Sequence, residues 1–157
     1  MNIIELSSGN VIPIEVLPVH ESDFKSITKK RYFFNWRTEK AFEILKLIIR
    51  GEHEILGLIS FERIPNECRI HIRLLTVSVE NKGDHKKYDK IAGNLIAYVA
   101  KIAVMDYAEL ACISLTPKSA LVNHYMEKYQ MNITGKTLSL EVPEILHVIN
   151  QYDNDEH

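Results

Sequence analysis

The chain has 157 residues, of which 46% are hydrophobic and 25% are charged, and its formal net charge is −2. This composition is typical of an ordinary globular protein and excludes a disordered or fibrous chain. The slight negative charge argues against nonspecific nucleic-acid binding, which requires a basic surface. The length predicts one domain over residues 1–157, large enough to bury a core without disulfides or metal ions.

The start of the chain lacks the basic segment and apolar stretch of a secretory signal, and no apolar run reaches the roughly 18 residues of a membrane span. Cys68 and Cys112 lie in strand-like apolar runs and are expected to be buried free thiols. Neither the cysteines nor the histidines show metal-ligand spacing, so we expect no metal site. Free thiols favour a reducing, cytoplasmic location.

The first segment of the chain predicts strands and one short helix. Apolar runs at residues 3–6 and 11–17 predict two strands joined by a turn. Pro13 has no backbone N–H and therefore indicates an edge position for the second strand. Residues 22–28 predict a short helix. The aromatic cluster at 32–36 is either a segment packed on the core or a wall of a ligand pocket.

Three strands follow, at residues 41–49, 55–63 and 69–79, and short polar turns join them. In the third strand, Ile70 and Ile72 share one face because side chains alternate along a strand. Links this short join antiparallel neighbours, so the three strands predict an antiparallel meander.

A polar loop and a long apolar helix follow the meander. Residues 80–89 are polar, whereas 90–107 have apolar residues at three- and four-residue spacing, so we expect a buried helix capped by Asp89. An apolar run at 110–115 predicts a buried strand parallel to 69–79. Strand, loop, helix and strand in this order predict a βαβ crossover.

The remaining residues predict alternating helices and strands. Thr116 and Pro117 favour the start of a helix. A strand at 137–142 and a helix at 143–152 follow, and residues 153–157 form a frayed acidic tail. The predicted fold class is therefore α+β, with a mixed central sheet, made of an antiparallel meander and a βαβ crossover, flanked by helices.

The loop before the long helix carries the most informative functional pattern. A helix N-terminus offers unpaired N–H groups and a partial positive charge, and both favour phosphate binding. Four lysines add positive charge to the same region: Lys82, Lys86, Lys87 and Lys90. The pattern indicates a pyrophosphate site, while an ordinary solvated lysine-rich loop is the alternative interpretation.

This strand, loop and helix resemble the acetyl-CoA-binding motif of the GNAT acetyltransferase superfamily, whose loop usually reads Gln/Arg-x-x-Gly-x-Gly/Ala. The matching residues run from Lys87 to Ala92, with Gly93 next. Lys87 stands where Gln or Arg is usual. Lys90 replaces the first glycine, which normally lets backbone N–H groups approach the phosphates closely.

Two later segments, NHYMEKYQM at 123–131 and GKTLSLE at 135–141, resemble a helix end and the following strand of the same superfamily. The resemblance thus extends over roughly residues 41–142. It implies a GNAT-like fold and an N-acetyltransferase that uses acetyl-CoA to acetylate an amine acceptor by direct attack. It implies neither a nucleic-acid nor a membrane partner, and it leaves a homodimer open.

The resemblance also implies which residues contact the cosubstrate. Leu75, Thr76 and Val77, on the third meander strand, would contact the pantetheine arm of acetyl-CoA. The other binding positions that it implies are Lys82, Gly83, Lys87, Tyr88, Lys90, Ile91, Ala92, Gly93 and Asn94.

For catalysis, Tyr125 matches the tyrosine that often protonates the departing thiolate in this superfamily. Counting back from the end of the motif places Met126 there instead, and Tyr125 is then a structural residue. A general base, if needed, would be Glu62, Glu80 or His71. A non-catalytic protein of the same fold, which binds coenzyme A or a protein partner without turnover, is the alternative interpretation.

Overall fold

The computed structural model of the chain describes residues 1–116, 127–134 and 137–153. Its framework is a mixed sheet of nine strands. The strands are β1 (Asn2–Glu5), β2 (Val11–Pro18), β3 (Glu43–Ile49), β4 (Gly57–Ile64), β5 (Arg69–Val77), β6 (Tyr88–Asp89), β7 (Cys112–Leu115), β8 (Asn132–Thr134) and β9 (Thr137–Glu141). Among the described residues, the α-helices with both ends described are α1 (Lys29–Tyr32), α2 (Ile91–Tyr107) and α3 (Val142–Tyr152), and residues 127–129 are also helical.

The strand order across the sheet is β6-β1-β2-β3-β4-β5-β7-β9-β8. The pairs β3–β4 and β4–β5 are antiparallel, which confirms the predicted meander. β5 and β7 are parallel and are connected through α2, which confirms the predicted βαβ crossover. The α+β fold class predicted from the sequence is therefore confirmed.

Each face of the sheet is covered by a different layer. On one face, α2 and α3 pack over a cluster that includes Leu47, Ile59, Phe61 and Ile70. On the other face, the segment between β2 and β3 covers a second cluster. That cluster consists of Phe24, Ile27, Tyr32, Trp36, Ile44, Ile48, Ile55 and Leu58. We call this segment, residues 19–42, the covering segment.

Two aromatic residues of the covering segment are core residues. Tyr32 and Trp36 are each 1% exposed. The Tyr32 hydroxyl donates to the Ile55 carbonyl at 2.7 Å, and the Trp36 indole donates to the Tyr32 carbonyl at 3.1 Å. For these two residues, the structure supports packing on the core over a pocket wall.

The edge position predicted from Pro13 is wrong. β2 lies inside the sheet, between β1 and β3. The last β2–β3 pair is Ile14 with Ile49, and the Pro13 carbonyl accepts from the Arg50 N–H at 3.1 Å, beyond the end of β3. Pro13 therefore lies opposite Arg50, just past the end of β3, where its missing N–H removes only the bond that would be reciprocal to the one from Arg50.

Three further local predictions are corrected. Residues 22–28 do not form an α-helix; the helical turn there is a 3-10 helix, Glu21–Lys25. Cys68 lies in a turn rather than a strand, with φ of 49°. The N-cap of α2 is Lys90, and Asp89 instead accepts the Lys90 N–H on its side chain at 2.9 Å.

The helix α2 is a core element. Together with the following turn, Ile91–Leu110 is long and apolar enough to cross a membrane, and half of that window is buried inside the fold. Leu95, Ile96 and Val99 are fully buried. A helix that is apolar on most sides is expected where it packs between a sheet and a second helix, as α2 does here.

Candidate functional site

An opening separates β5 and β7 at their carboxyl ends. The two parallel strands pair from Arg69 with Cys112 to Ile72 with Leu115. β5 continues to Val77, but β7 ends at Leu115. In the part of the chain that the structure describes, the end of β5 therefore has no partner on its β7 side. This opening is where ligands commonly bind in sheets with parallel strands.

The backbone of β5 directs polar groups into the opening. The Leu74 N–H bonds Ser60 Oγ at 3.1 Å and the Ser78 N–H bonds the Leu56 carbonyl at 2.8 Å, so both N–H groups point toward β4. Backbone groups alternate in direction along a strand. The N–H and C=O groups of Leu75 and Val77 therefore point away from β4, into the opening.

Thr76 lies between them and faces the other way. It is 8% exposed, and its hydroxyl donates to the Val77 carbonyl at 3.0 Å. Thus the backbone of Leu75 and the N–H of Val77 are offered to a ligand, whereas the Val77 carbonyl and the Thr76 hydroxyl already share a hydrogen bond.

A β-bulge lies next to the opening. Ser60 pairs with Leu74 and Phe61 pairs with Ile72, so Arg73 is the extra residue on β5. Bulges bend a strand and re-aim its side chains, and they occur often beside functional sites. Here the bulge sits one residue past the last β5–β7 pair.

The N-terminus of α2 lies against the same end of β5. A Cβ added to Gly57 would lie 2.6 Å from Ile91 Cγ2 and 3.1 Å from the Thr76 carbonyl oxygen. The absence of a side chain at Gly57 thus allows the first turn of α2 to approach β4 and β5 closely. The open N–H groups of the helix and of β5 therefore share one region.

Lys90 has the backbone conformation of a glycine. Its φ is 76° and its ψ is 15°, in the left-handed region. Such a conformation is uncommon for residues other than glycine. The site thus retains the loop geometry for which glycine is suited, but a lysine adopts it. The sequence showed that lysine replaces the glycine of the motif, but it did not predict the left-handed backbone of Lys90.

The N-terminal end of α2 already has one negatively charged side chain beside it, that of Asp89. Asp89 Oδ1 accepts from Lys86 Nζ at 2.8 Å and from the Lys90 N–H at 2.9 Å. Burial raises the pKa of Asp89, but these hydrogen bonds outweigh it and leave the pKa below its usual value. The loop therefore stabilises an anion, as a phosphate site must. Asp89 already accepts from two of its donors, the Lys86 ammonium and the Lys90 N–H.

The other loop residues differ in what they can offer. Lys82 Nζ lies 4.3 Å from the ring centroid of Phe33, and Lys87 Nζ lies 5.3 Å from that of Tyr88. Both lysines and Gly83 are exposed, whereas Tyr88 is buried. The lysines can therefore reach a ligand with their side chains, while Tyr88 supports the loop from below.

The first residues of α2 are positioned by packing. Ile91 is 2% exposed and Asn94 is fully buried. Asn94 Nδ2 donates to the Asn2 carbonyl at 2.8 Å and to the Lys90 carbonyl at 2.7 Å, which ties the helix end to β1. Because the first intrahelical bond runs from Asn94 N–H to Lys90, the N–H groups of 91–93 remain available to a ligand.

Gly93 has a packing role that its place in the motif did not predict. A Cβ there would lie 2.1 to 2.4 Å from three atoms of the Tyr152 side chain. α3 therefore packs its last turn directly on the first turn of α2. Ala92, beside it, is half-buried.

The candidate catalytic residue Tyr125 and its alternative, Met126, lie outside the described residues. Of the candidate bases, Glu80 forms an ion pair with Arg31, which also pairs with Glu54. This pair outweighs the effect of burial and lowers the pKa of Glu80. An ionised, paired carboxylate is a poor proton acceptor, so Glu80 is the weaker candidate.

His71 and Glu62 face each other across β4 and β5. The His71 ring Nδ1 lies 2.8 Å from Ser114 Oγ, which in turn accepts from Arg69 Nη1 at 2.6 Å. Burial and the charge of Arg69 lower the pKa of His71, which favours the neutral ring at neutral pH. Arg69 Nη1, which can only donate, lies 3.4 Å from the same Nδ1, so the tautomer with an accepting Nδ1 and the proton on Nε2 satisfies both contacts.

Sequence reasoning missed Glu39, which lies beside the bulge. Its side chain is buried, with the residue 4% exposed. It accepts from Ser60 Oγ at 2.8 Å and from Arg73 Nε at 2.9 Å. The guanidinium carbon of Arg73 lies 3.6 Å from the centroid of the Phe42 ring. No local pattern marks Glu39, because its partners come from β4 and β5.

Comparison with known proteins agrees with this architecture. The sequence matches no protein-family model and no curated protein sequence. Among solved structures, a chimeric spermidine N-acetyltransferase from Vibrio cholerae is similar with a TM-score of 0.63, at 12% identity, over 85% of this chain and 98% of that one. A GNAT family acetyltransferase from Elizabethkingia anophelis with acetyl-CoA bound has a TM-score of 0.61, at 13% identity, over 82% and 98%.

A third similar structure is an N-acetyltransferase from Thermoplasma acidophilum in complex with coenzyme A. Its TM-score is 0.59, at 12% identity, over 83% of this chain and all of that one. The chain therefore has the fold of the GNAT acetyltransferases. At these identities the similarity establishes the fold, and the site residues have to be argued from their own chemistry.

Proposed function

We propose that this protein is an N-acetyltransferase that binds acetyl-CoA in the opening between β5 and β7 and transfers the acetyl group to an amine. The observation that supports this most strongly is the pairing of β5 and β7 up to Ile72 only, with the backbone of Leu75 and Val77 directed into the gap. The acetyltransferase fold of the similar structures supports the same activity class. We also propose a cytoplasmic location.

The described residues suit the two ends of acetyl-CoA. The amide groups of the pantetheine arm can pair with the backbone of Leu75 and Val77 as an added strand would. The pyrophosphate can accept from the N–H groups of 91–93, with Lys87 and Lys90 supplying charge. Lys82, Gly83 and Ala92 line the same loop and helix end, and Tyr88 and Asn94 hold it in place.

The reaction in this proposal needs no covalent enzyme intermediate. The acceptor amine loses a proton, and its nitrogen forms a bond to the acetyl carbonyl carbon. The bond from that carbon to sulfur breaks, and the sulfur leaves as a thiolate. We propose that Tyr125 donates the proton to this thiolate, as the resemblance to the superfamily implies.

Tyr125→Phe tests this assignment. If Tyr125 is the general acid, turnover falls by about 10²–10³-fold, which lies within the range of proton-transfer catalysis, while affinity for acetyl-CoA stays the same. Steady-state kinetics and calorimetry measure the two quantities. Unchanged turnover would contradict the assignment, and an equal loss of thermal stability and activity would make Tyr125 a structural residue.

A second candidate function is binding of coenzyme A without turnover. Asp89 favours it, because its carboxylate accepts the Lys90 N–H that a phosphate could use. A thiol-release assay with a panel of amines separates the two functions. Binding of acetyl-CoA with no thiol release from any amine would support the non-catalytic alternative.

The binding site is tested with Lys87→Glu/Lys90→Glu. Loss of two charge-assisted contacts and the added repulsion should weaken acetyl-CoA binding by about 1–3 kcal/mol in calorimetry at low salt. Lys25→Glu/Lys29→Glu changes two exposed lysines of the covering segment and serves as the matched control. Equal affinity of both double variants and the wild type would contradict the assignment of this loop.

A further inference from the structure

A group of polar side chains lies on the sheet face that the covering segment occupies, beside the opening. Leu58 belongs to the core under this segment, and Ser60 binds Glu39 of the segment, so Glu62 shares the face because side chains alternate. His71 pairs with Glu62 across β4 and β5. Arg73, at the bulge, contacts Glu39 and Phe42 on the same face.

Arg73 is held in one orientation but keeps donors to spare. Its Nε bonds Glu39 Oε1 at 2.9 Å and its Nη2 lies 3.4 Å from Glu39 Oε2, so one edge of the guanidinium is occupied. The guanidinium also lies over the ring of Phe42. The side chain is still 33% exposed. A guanidinium has five N–H donors, so the edge that carries Nη1 can bind a second oxyanion.

Arg31 shows that one guanidinium in this chain can serve two carboxylates. Its Nη2 pairs with both Glu54 and Glu80. The negative charge of Glu39 therefore does not prevent Arg73 from holding another anion.

Glu62 is the complementary group. Its charge acts on His71 and Arg73 through space, and no hydrogen bond or ion pair to it is found in the described residues. The other two carboxylates near the opening, Glu39 and Glu80, are each bound to an arginine. Glu62 is thus the carboxylate best placed to bind an ammonium group.

We propose that the acceptor is a small amino carboxylate, whose ammonium group binds Glu62 and whose carboxylate binds the outer edge of Arg73. Diagonal neighbours on adjacent strands lie about 7–8 Å apart, a span that a molecule with a few bonds between its charges can cross. The proposal rests on the proposed function. The ammonium gives one proton to Glu62, and the resulting amine attacks the acetyl carbonyl carbon. The second proton of its nitrogen replaces the one that the general acid of the proposed function gives to the departing thiolate.

Three charged groups lie around Glu62 and its neighbour His71: Arg73 on β5, Glu39, which is paired with Arg73, and Arg69, which contacts His71 and is paired with Glu67. His71 lies opposite Glu62 on the neighbouring strand, and burial lowers its pKa, so it adds little positive charge beside Glu62. Because Arg69 and Glu39 are each paired with a group of opposite charge, Glu62 and the outer edge of Arg73 remain to bind an ammonium and a carboxylate. This pair of charges matches a zwitterion better than a polyamine.

Matched substrate pairs test the proposal. Glycine, β-alanine and 4-aminobutyrate are compared with glycinamide, 3-aminopropanamide and 4-aminobutanamide, which lack the negative charge. The wild type should acetylate at least one amino carboxylate with a kcat/KM about tenfold or more above that of its amide, because a charge-assisted pair is lost in the amide. Calorimetric titration of the same compounds into the complex with coenzyme A should show the same order.

Two variants separate the two ends of the acceptor. Glu39→Gln/Arg73→Gln removes both charges of the pair without leaving a buried carboxylate unpaired. In this variant the kcat/KM of an amino carboxylate, divided by that of its amide, should fall to about one. Glu62→Gln should weaken the binding of a carboxylate and its amide by the same factor and keep their ratio. Glu15→Gln/Arg50→Gln, a surface pair on another part of the sheet, is the control.

The possible failures are distinguishable. If the wild type does not bind acetyl-CoA, the proposed function fails. If it binds acetyl-CoA but acetylates none of these amines, prefers the amides, or keeps its preference in Glu39→Gln/Arg73→Gln, then the amino-carboxylate site is overturned while the cosubstrate site stands.

Discussion

Lys90 combines two features that usually exclude each other, a long side chain and a left-handed backbone. Its φ of 76° costs free energy for any residue that has a Cβ. Lys90→Gly should therefore raise the free energy of unfolding by about 0.5–1 kcal/mol, since glycine adopts this conformation readily. Denaturant unfolding measures the change.

Lys87→Gly is the matched control, because Lys87 lies in the same loop and does not have positive φ. It should give no stabilisation, since glycine there only adds entropy to the unfolded chain. Equal effects of the two substitutions would show that the strain at Lys90 does not contribute to stability.

Residue identity alone predicted part of the site. The charge of Lys87 and Lys90 and their place before an apolar helix were readable, because they are local in sequence. The burial of Glu39 was not, since its contacts with Ser60 and Arg73 join elements that are far apart in the chain. The engagement of Glu80 by Arg31 depends in the same way on tertiary contacts.

At the scale of elements, the packing of α3 on α2 depends on Gly93. A Cβ at this position would lie 2.1 Å from Tyr152 Cζ, and Tyr152 is only 5% exposed. Gly93→Ala should destabilise the protein by about 1–3 kcal/mol, the usual cost of overpacking. Thermal or denaturant unfolding measures the loss.

Gly93→Ala/Tyr152→Leu provides the control for this contact. The smaller side chain makes room for the added methyl group, so the double variant should lose less stability than the sum of the two single variants. Strictly additive losses would mean that Gly93 is needed for a reason other than its contact with Tyr152.

Most elements were predictable because their patterns are local. The meander follows from three apolar runs with short links, and the crossover follows from a polar loop, an apolar helix and a further strand. The edge position predicted from Pro13 was wrong because β3 ends just before the residue opposite Pro13. The pairing register of β2 and β3 determines this, and the sequence of β2 alone does not reveal it. The bulge at Arg73 has no sequence signal, since it depends on the pairing of β4 with β5.

For the whole molecule, the paired carboxylates predict a loss of stability in acid. Burial alone would raise the pKa of Glu39, but hydrogen bonds from Arg73 and Ser60 outweigh it and leave the pKa lowered. The same balance lowers the pKa of Asp23 and Asp89. A carboxyl whose folded pKa is below its unfolded value stabilises the fold above the unfolded pKa, and this stabilisation disappears as the pH falls through the folded pKa.

The free energy of unfolding should therefore decrease as the pH is lowered from about 5, near the unfolded pKa of a carboxyl group, towards 3. Glu39→Gln removes one of these groups and should make the decrease less steep. Glu15→Gln removes an exposed carboxylate that lies 3.8 Å from Arg50, and it should leave the slope as in the wild type. Stability that is constant or rises over this range would contradict the assignment of these pairs.

The central claim is that acetyl-CoA binds along β5 and on the first turn of α2. Titration of the ¹⁵N-labelled protein with acetyl-CoA, followed through its amide resonances, tests it most directly. The largest saturable shifts are predicted for Leu75, Val77 and the amides of 91–93, while β2 remains unaffected. The absence of saturable shifts, or shifts confined to residues away from the opening between β5 and β7, would contradict the account.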